Sequence, residues 1–495
     1  MIEEERQADT TRRPLIFELG DPEWSCPSAD SASPSEGPID AMFPGLHREC
    51  PPNLPNVSEL DIMRHYSRLA AVNFGVDTGM YPLGSCTMKY NPRLNEDVCR
   101  LPGFAGLHPY QPESTVQGIL ELLHGLQSAL SEITGLPGVS LQPSAGAHGE
   151  HTALLCIREF HSRKGNPRRK VLIPDTAHGT NPATVSLCGY EAQTIPSDSS
   201  GGVDLDALYA ALGEDVAAVM LTNPNTLGLF DLNIEEITRA VRACGAFSYC
   251  DGANLNAIMG ISRPGDMGFD SLHVNLHKTF STPHGGGGPG AGPVCVSEEL
   301  APFLPGPVIL HGDDGYRIHR PSASIGRVRS FYGNVGVLIR AYAYILSSGG
   351  DGLRAISEQA VLSANYLMSR LRAAYDLPYN RTCMHEFVLS ASPQKRANGV
   401  KALDIGKRLL DYGIHPPTVY FPLLVEEALM IEPTETEPLS ALDRFVSAML
   451  AIADEAEANP DALKAAPHTT AVRRLDEARA ARDPDLRWTA KNSSS

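Results

Sequence analysis

The sequence predicts an α/β fold, in which helices cover a mostly parallel, seven-stranded sheet and a smaller α+β domain follows. Helical segments separate most of seven short apolar runs between residues 139 and 297. Strands that alternate with helices are typical of a parallel sheet covered on both faces. The apolar runs are VSLQ (139–142), KVLIP (170–174), EAQTIP (191–196), VAAVMLT (216–222), AFSYC (246–250), HVNLH (273–277) and GPVCVS (292–297).

Before the sheet, the chain divides into an arm and a helical and loop segment. Residues 1–55 are rich in Pro, Ser and acidic residues and show no sustained period, which predicts an extended N-terminal arm. Helical spacing begins near Ser58. The capping-box spacing of Ser114 and Gln117 predicts a helix that opens at Ser114 and ends at Gly135.

The remaining boundaries follow from changes of pattern. A helical and loop segment at 56–134 precedes a large α/β domain at 135–325, a small α+β domain at 326–460 and a tail at 461–495. The small domain is expected to contain helices at 331–348, 353–374 and 439–457 and strands at 384–390 and 418–423.

Composition narrows the class of protein. With 495 residues, of which 42% are hydrophobic and 20% charged, the chain is typical of a soluble globular protein with a large core. A net charge of −17 argues against nucleic acids and anionic membranes as partners. There is no apolar run long enough to span a membrane, and the acidic start does not resemble a secretory signal. Ten scattered cysteines without a CxxC pair agree with a cytoplasmic location.

Asp251 and Lys278 form the strongest candidate catalytic pair. Asp251 ends one apolar run, and Lys278 follows the next run along the chain. Burial lowers the pKa of a lysine, and a neutral amine forms a Schiff base with an aldehyde. A carboxylate at a strand end is well placed to hold a pyridinium N–H, which makes the ring of pyridoxal phosphate (PLP) an electron sink. An ordinary ion pair is the alternative.

Two turns at strand ends are candidate cofactor-binding segments. Ser144, Ala145 and Gly146 follow a short strand and open a helix, where small residues let backbone N–H groups approach a phosphate. His178 follows the strand at 170–174, where an imidazole can stack on a flat aromatic cofactor. The alternatives are an ordinary turn for the first segment and a capping or core role for His178.

A glycine-rich stretch at 285–292 comes soon after the candidate lysine. Six of the eight residues 285–292 are glycine, so any role of this stretch must lie in backbone freedom or in a close approach of the backbone to a ligand. A flexible surface loop is the alternative. We therefore consider the stretch a candidate wall of the site.

Metal and hydrolase chemistry receive little support. The pairs His148/His151 and His273/His277 have spacings that could bind zinc, but no third ligand presents itself, and we expect no metal. Neither a G-x-S-x-G elbow nor a phosphate-binding G-x-x-x-x-G-K-[ST] loop occurs.

Five longer motifs resemble the glycine-cleavage P-protein family of PLP-dependent decarboxylating glycine dehydrogenases. The resemblance runs from about Asn53 to Phe445. Some chains of that family contain two homologous halves, whereas others are split into two subunits, of which only the second carries the PLP lysine. In length, and in having this lysine, the chain resembles the second subunit. The motifs are YPLGSCTMKYNP (81–92), SAGAHGEH (144–151), AHGTNPA (177–183), DGANLNA (251–257) and NLHKTFSTPHGGGGPG (275–290).

The resemblance implies a fold-type-I PLP enzyme and assigns roles to the candidate residues. Lys278 would bind PLP covalently, and Asp251 would meet the pyridine nitrogen. By the logic of that fold, residues 144–146 would hold the phosphate and His178 would stack on the ring. His277 is a further candidate contact, although it would alternate to the opposite side if its strand continued.

The resemblance also implies a reaction and partners. Glycine would lose CO₂, and the remaining aminomethyl group would pass to the lipoyl arm of H-protein, entering between the glycine-rich stretch and the loop at 81–92. Two copies of this chain would join two copies of P-protein subunit 1 in a heterotetramer. The loop Asn73–Arg93, which carries Lys89, is predicted to cross to the partner. The alternatives are an amino-acid decarboxylase or aminotransferase of the same fold type, or a non-catalytic partner subunit.

Overall fold

The computed structural model describes residues 14–19, 44–46, 54–284 and 290–486. The chain forms two compact units, Met1–Phe74 and Gly75–Ser495. In the first unit, helix Glu59–Ala70 begins with a capping box, because the Ser58 hydroxyl accepts the backbone N–H of Asp61 at 3.1 Å and the Asp61 carboxylate accepts that of Ser58. The helix expected from the spacing that begins near Ser58 is therefore confirmed. Most of the predicted arm, residues 1–55, lies outside the described residues.

In the second unit, seven strands form one large sheet. They are β1 Gly138–Ser140, β2 Lys170–Pro174, β3 Glu191–Ile195, β4 Val216–Leu221, β5 Phe247–Gly252, β6 Ser271–Val274 and β7 Val294–Val296. Their order in the sheet is β1-β7-β6-β5-β4-β2-β3. Strands β6, β5, β4, β2 and β3 pair in parallel, and β7 runs antiparallel to β1 and β6. The prediction of a mostly parallel, seven-stranded sheet is therefore confirmed.

Helices bury both faces of this sheet. Every residue of β4, β5 and β6 is buried, which explains why β4 appears in the sequence as a continuous apolar run rather than an alternating one. Helix Gln117–Thr134 packs its leucines into one cluster of core residues, and helix Gly146–Arg163 packs Leu154 and Ile157 into another. None of the described helices combines the length and apolarity needed to cross a membrane.

The helices of the second unit are named here once. Those that precede or alternate with the strands of the large sheet in sequence are Arg93–Cys99, Pro102–Ala105, Gln117–Thr134, Gly146–Arg163, Thr180–Leu187, Leu205–Ala211, Ile234–Ala243 and Leu276–Thr279. Those that follow the large sheet in sequence are Val335–Leu371, Ser392–Asn398, Ala402–Asp411, Leu439–Ala458, Pro460–Ala465 and Glu477–Arg482.

Five further strands form a hairpin and a small sheet. They are β8 Val308–Gly312, β9 Gly315–His319, β10 Phe387–Ser390, β11 Thr418–Val419 and β12 Ala428–Ile431. The small sheet has the order β10-β12-β11 and lies after the long helix in sequence. Its strands are antiparallel, and the sequence patterns predicted two of them but missed the central one, β12, a short apolar run next to acidic residues. The hairpin of β8 and β9 was also missed.

One predicted helix boundary is wrong. Residues 113–115 form a 3-10 turn, and the α-helix begins only at Gln117, so Ser114 does not cap it. The two helices predicted at 331–348 and 353–374 correspond to two helical stretches within Val335–Leu371, which are separated at Gly349, whose φ of 63° lies in the left-handed region that glycine tolerates. The predicted domain boundary at residue 325 stays a prediction.

Candidate active site

A cavity lies where the central strands of the large sheet end. Strand β5 ends with Asp251 and Gly252, and β6 leads through Asn275 into the helical turn Leu276–Thr279. Because the carboxyl ends of parallel strands meet at one edge of a sheet, side chains distant in sequence converge there. Of the seven predicted site residues, five line this cavity: Gly146, His178, Asp251, His277 and Lys278.

Lys278 points from the helical turn toward the loop that contains Ser85. Its Nζ donates a hydrogen bond to the Ser85 carbonyl oxygen at 2.6 Å. The amine is half-buried rather than locked in an ion pair, since no Asp or Glu oxygen among the described residues lies within 4.0 Å of it. It is therefore held in the cavity by a neutral acceptor, which leaves it available for covalent chemistry.

His277 lines the cavity next to Lys278, and the predicted strand through residue 277 is wrong. The strand ends at Val274 and a helical turn follows, so neighbouring side chains no longer alternate between the two faces of the sheet. Burial, followed by the nearby charges of His284 and Lys278, lowers the pKa of His277 to about 3. Its imidazole is therefore neutral, and its buried Nδ1 has no hydrogen-bond partner among the described residues.

Asp251 is buried, with 4% of its surface exposed, and is held as a carboxylate. The Asn181 amide donates to Oδ2 at 2.9 Å, and the backbone N–H of Ala253 donates to Oδ1 at 3.0 Å. Burial acts to raise the pKa of Asp251, but His273 and these two donors hold it below the usual value. An ionised carboxylate in this position can keep a ring N–H⁺ protonated.

His273 connects Asp251 to a buried tyrosine. The Tyr249 hydroxyl lies 2.5 Å from His273 Nδ1, and His273 Nε2 lies 3.6 Å from an oxygen of Asp251. Burial raises the pKa of Tyr249 well above its usual value, so the hydroxyl stays protonated beside the imidazole. Tyr249 and Asp251 are two residues apart on β5 and therefore point to the same face. The tyrosine thus orients the imidazole toward the carboxylate.

His178 lines the cavity, where its ring is oriented by its own loop. Its Nδ1 accepts the backbone N–H of Thr180 at 3.3 Å and lies 3.0 Å from the Thr180 hydroxyl, which also contacts the buried Glu150 at 2.7 Å. The ring of Phe421, from the loop after β11, lies 5.7 Å away between centroids. This position is compatible with the predicted stacking role, which stays a prediction.

Only part of the predicted phosphate-binding segment, residues 144–146, lines the cavity. Gly146 and Ala147 line the cavity at the start of helix Gly146–Arg163, whose first N–H groups have no intrahelical acceptor. Ser144 and Ala145 are not among the lining residues, and the Ser144 hydroxyl contacts His148 Nδ1 at 3.1 Å. A Cβ at position 146 would lie 2.5 Å from the Asn275 amide oxygen, so any larger residue there would have to displace the Asn275 side chain.

The candidate zinc pairs have other partners. His148 contacts Ser144, and His151 Nδ1 lies 3.3 Å from the thiol of Cys188. His273 is engaged with Tyr249. Most of the glycine-rich stretch, residues 285–289, lies outside the described residues.

Sequence reasoning missed two buried acids beside this cavity, Glu386 and Glu432. The Glu386 carboxylate accepts the Ser85 N–H at 2.9 Å, and Glu432 accepts the Thr87 hydroxyl and the Asn254 amide, both at 2.8 Å. They come from the start of β10 and the end of β12, two strands that meet only in the folded sheet. The only available signal was an acidic residue directly next to each apolar run.

The loop from Gly75 to Pro92 packs onto its own chain, and the prediction that Lys89 reaches a partner is wrong. Lys89 is 4% exposed and donates to Glu435 at 2.7 Å, Asn256 at 2.8 Å and the Thr279 carbonyl at 3.0 Å. Burial acts to lower the pKa of Lys89, but Glu435 raises it overall, so the ammonium stays charged. A backbone bridge between Leu83 and Ile431 joins the same loop to the small sheet.

The polar atoms of the cavity fit PLP. Thr222 Oγ1, Asn275 Oδ1 and His277 Nδ1 are buried and have no hydrogen-bond partner within the described part of the chain, so they can receive a polar ligand. An amine, an ionised carboxylate and an open helix N-terminus face the same space. Together with the sheet topology, this donor set defines a fold-type-I, PLP-dependent enzyme.

Comparison with known proteins identifies the family. The family described as "Glycine cleavage system P-protein" matches residues 45–319, and "Glycine dehydrogenase, C-terminal domain" matches residues 356–471. Proteins named "Probable glycine dehydrogenase (decarboxylating) subunit 2" from Halalkalibacterium halodurans and Listeria welshimeri are each 57% identical and cover 96% of this chain and 98% of their own length. The chain therefore belongs to the glycine cleavage system P-protein family.

Solved structures agree on the fold. A crystal structure of glycine decarboxylase (P-protein) in inhibitor-bound form covers 84% of this chain and 94% of its own, with a TM-score of 0.69 and 22% sequence identity. A glutamate decarboxylase from Lactobacillus brevis has a TM-score of 0.64 and 14% identity, covering 85% of this chain and 97% of its own. At these identities the likeness concerns the fold alone, which the sequence analysis had predicted.

Proposed function

We propose that this chain decarboxylates glycine and transfers the remaining aminomethyl group to the lipoyl arm of H-protein. The observation that carries the proposal is one cavity in which Lys278, Asp251 and His178 face the same space at the carboxyl ends of the strands. The names of the 57% identical relatives support glycine as the substrate.

Each cavity residue has a defined task toward the cofactor. Lys278 would hold PLP covalently, Asp251 would keep its ring nitrogen protonated, and His178 would lie against the ring. Gly146, Ala147 and the helix N-terminus would bind its phosphate. When bound, PLP supplies an electron sink for the electron pair of the breaking C–C bond.

The surroundings of Lys278 favour loss of a carboxylate over its retention. Among the described residues that line the cavity, Lys278 is the only lysine or arginine. A bidentate arginine would stabilise the substrate carboxylate most in the ground state and would therefore oppose its release. His277 and His385 are neutral, because burial lowers the pKa of each to about 3. This favours decarboxylation over transamination, the main alternative.

The assembly belongs to the same proposal. The relatives are named as subunit 2, which supports a partner P-protein subunit 1 and a heterotetramer with two copies of each chain. Lys89 no longer supports this assembly, because its contacts lie within one chain. A cytoplasmic location is also proposed, on the acidic composition and the absence of a membrane-spanning helix among the described residues.

The deciding experiment is the exchange of labelled bicarbonate into glycine. It is run on this chain alone, with lipoylated H-protein, and with H-protein plus subunit 1. Exchange that requires both partners supports the full proposal. Exchange of an amino group with a keto acid, or CO₂ release from larger amino acids but not glycine, would instead identify one of the other PLP enzymes.

A further inference from the structure

Two carboxyl groups beside Lys278 have no task in the chemistry described so far. Glu386 lines the cavity, and both Glu386 and Glu432 are buried, with 4% and 1% of their surfaces exposed. One oxygen of each carboxyl and one nitrogen of His385 lie within 4.8 Å of one another. Two carboxyl groups this close in a buried site repel each other when both are ionised, so one proton held between them is favoured.

Neutral donors hold the pair in place. The Ser85 N–H binds Glu386, while the Thr87 hydroxyl and the Asn254 amide bind one oxygen of Glu432. The other oxygen of Glu432 is buried and has no partner within the described ranges. Across the same ranges, neither carboxyl forms an ion pair with a lysine or arginine. The arrangement therefore has an unfilled position for a proton.

A single residue links this pair to the reacting amine. Ser85 donates its N–H to Glu386 at 2.9 Å and accepts the Lys278 amine through its carbonyl at 2.6 Å. Ser85, at the wall of the cavity, therefore contacts the carboxyl pair through its N–H and Lys278 through its carbonyl oxygen. Glu386 and Lys278 line the same cavity, so a proton on Glu386 faces the space in which Lys278 reacts.

We propose that Glu386 is a catalytic acid–base residue that shares one proton with Glu432 and delivers it to the sulfur displaced from the lipoyl disulfide. Glu432 acts as a positioning residue, because it does not line the cavity and acts through Glu386. The inference rests on the proposed function. It adds the origin and the destination of the proton that this reaction must move.

The step balances in atoms and electrons. After CO₂ leaves, the substrate carbon forms a C–S bond with one lipoyl sulfur as the S–S bond breaks, and the electron pair left by CO₂ reduces the disulfide. The second sulfur takes the proton from Glu386. The ammonium group of the next glycine loses one proton when its nitrogen is bound, and that proton restores the pair. The aminomethyl group leaves as the neutral amine, so no added oxidant, reductant or net proton is required, and any later protonation of that amine takes its proton from water.

The groups that face the pair are consistent with this role. Burial, and then the neighbouring Glu432, raise the pKa of Glu386, and burial raises the pKa of Glu432 to about 7. Lys278 opposes both shifts, and Glu435 adds to that of Glu432. Cys86 faces the pair from the loop, and burial raises the pKa of its thiol, so it stays uncharged. His385 is neutral as well.

The test uses the complete enzyme, with PLP, subunit 1 and lipoylated H-protein, in single turnovers of labelled glycine. CO₂ release and the appearance of lipoyl thiol are followed from about pH 5 to 9. We expect Glu386→Gln to slow thiol appearance by about 10²-fold and to remove the alkaline decline of the rate. Glu432→Gln should move that decline to lower pH, because an isolated Glu386 loses its proton more readily. Glu437→Gln, a half-buried acid outside the cavity lining, is the matched control and should stay within about twofold of wild type.

A second measurement does not depend on turnover. The infrared spectrum of the PLP-free chain at neutral pH should contain a protonated carboxyl band that is weaker in Glu386→Gln and that disappears at a lower pH in Glu432→Gln than in wild type. If wild type releases no CO₂ from glycine, the proposed function fails. If wild type is active but the band is missing, or Glu386→Gln behaves like the control, only the proton relay fails. Should Glu386→Gln not fold, the wild-type band and the Glu432→Gln pH profile decide.

Discussion

The cavity brings together two acidic regions that have opposite properties. Asp251, at the end of β5 in the large sheet, has a lowered pKa because His273, an amide and a backbone N–H offset its burial. Glu386, at the edge of the small sheet, has a raised pKa because burial and the neighbouring Glu432 dominate. The same functional group is thus kept ionised in one region and protonated in the other. Their local donors decide which of the two acids holds charge and which holds a proton.

The largest expected effect comes from the residue between these two regions. Lys278→Ala should lower turnover by at least about 10³-fold while the fold remains intact, because covalent chemistry needs the amine and the core does not. Turnover and circular dichroism are measured together. Near-normal decarboxylation by Lys278→Ala would contradict the assignment of this cavity as the active site.

Asp251→Asn should remove the negative charge at Asp251 and leave the Glu386 and Glu432 carboxyl groups unchanged. The amide keeps the shape of the side chain but cannot hold a ring N–H⁺, so we expect PLP to remain bound and activity to fall by about 10²-fold. PLP content is read from the visible absorbance and activity from CO₂ release. An unchanged rate would mean that another group performs this task.

Lys89 carries a buried positive charge that lies outside the two acidic regions of Asp251 and Glu386. Lys89→Met leaves Glu435 buried without its cation, and the free energy of unfolding should fall by about 3–5 kcal/mol. Denaturant unfolding measures this loss, and adding Glu435→Gln should recover part of it. Arg93→Ala at the exposed pair with Asp77 is the control and should change little. A Lys89→Met chain as stable as wild type, but unable to assemble, would restore the predicted role at a partner.

The smallest expected effect is the pH dependence that Glu432 gives to the free energy of unfolding. Glu432 has a folded pKa of about 7, above its unfolded value of 4.5, so its contribution to stability is present below the unfolded pKa and is lost as the pH rises through 7. Between about pH 5 and 8, the wild-type unfolding free energy should therefore decline relative to that of Glu432→Gln, on the order of 2 kcal/mol. Parallel curves from denaturant titrations would contradict this. Asp251 has the opposite sign, and its contribution is lost only as the pH falls through its lowered pKa.

Part of the site could be predicted because it is local in sequence. Lys278, Asp251 and His178 each follow an apolar run, and the rule that parallel strands end at one edge brings them together without any knowledge of packing. The sheet was predictable for the same reason, since its central strands are buried on both faces. The strand predicted through His277 was wrong because a single residue, Asn275, ends the strand and begins a helical turn.

The sequence by itself thus determined the large sheet, the lysine, the carboxylate that faces it and, through the motifs, the family. Only the tertiary structure decided which acids are buried together. Thr87 and Glu432, for example, are 345 residues apart and bond directly, and Lys89 and Glu435 are 346 apart. No periodicity or spacing rule reaches over such distances. Burial and the neighbouring donors, which set the charge of each group, exist only once the two sheets and the loop have packed.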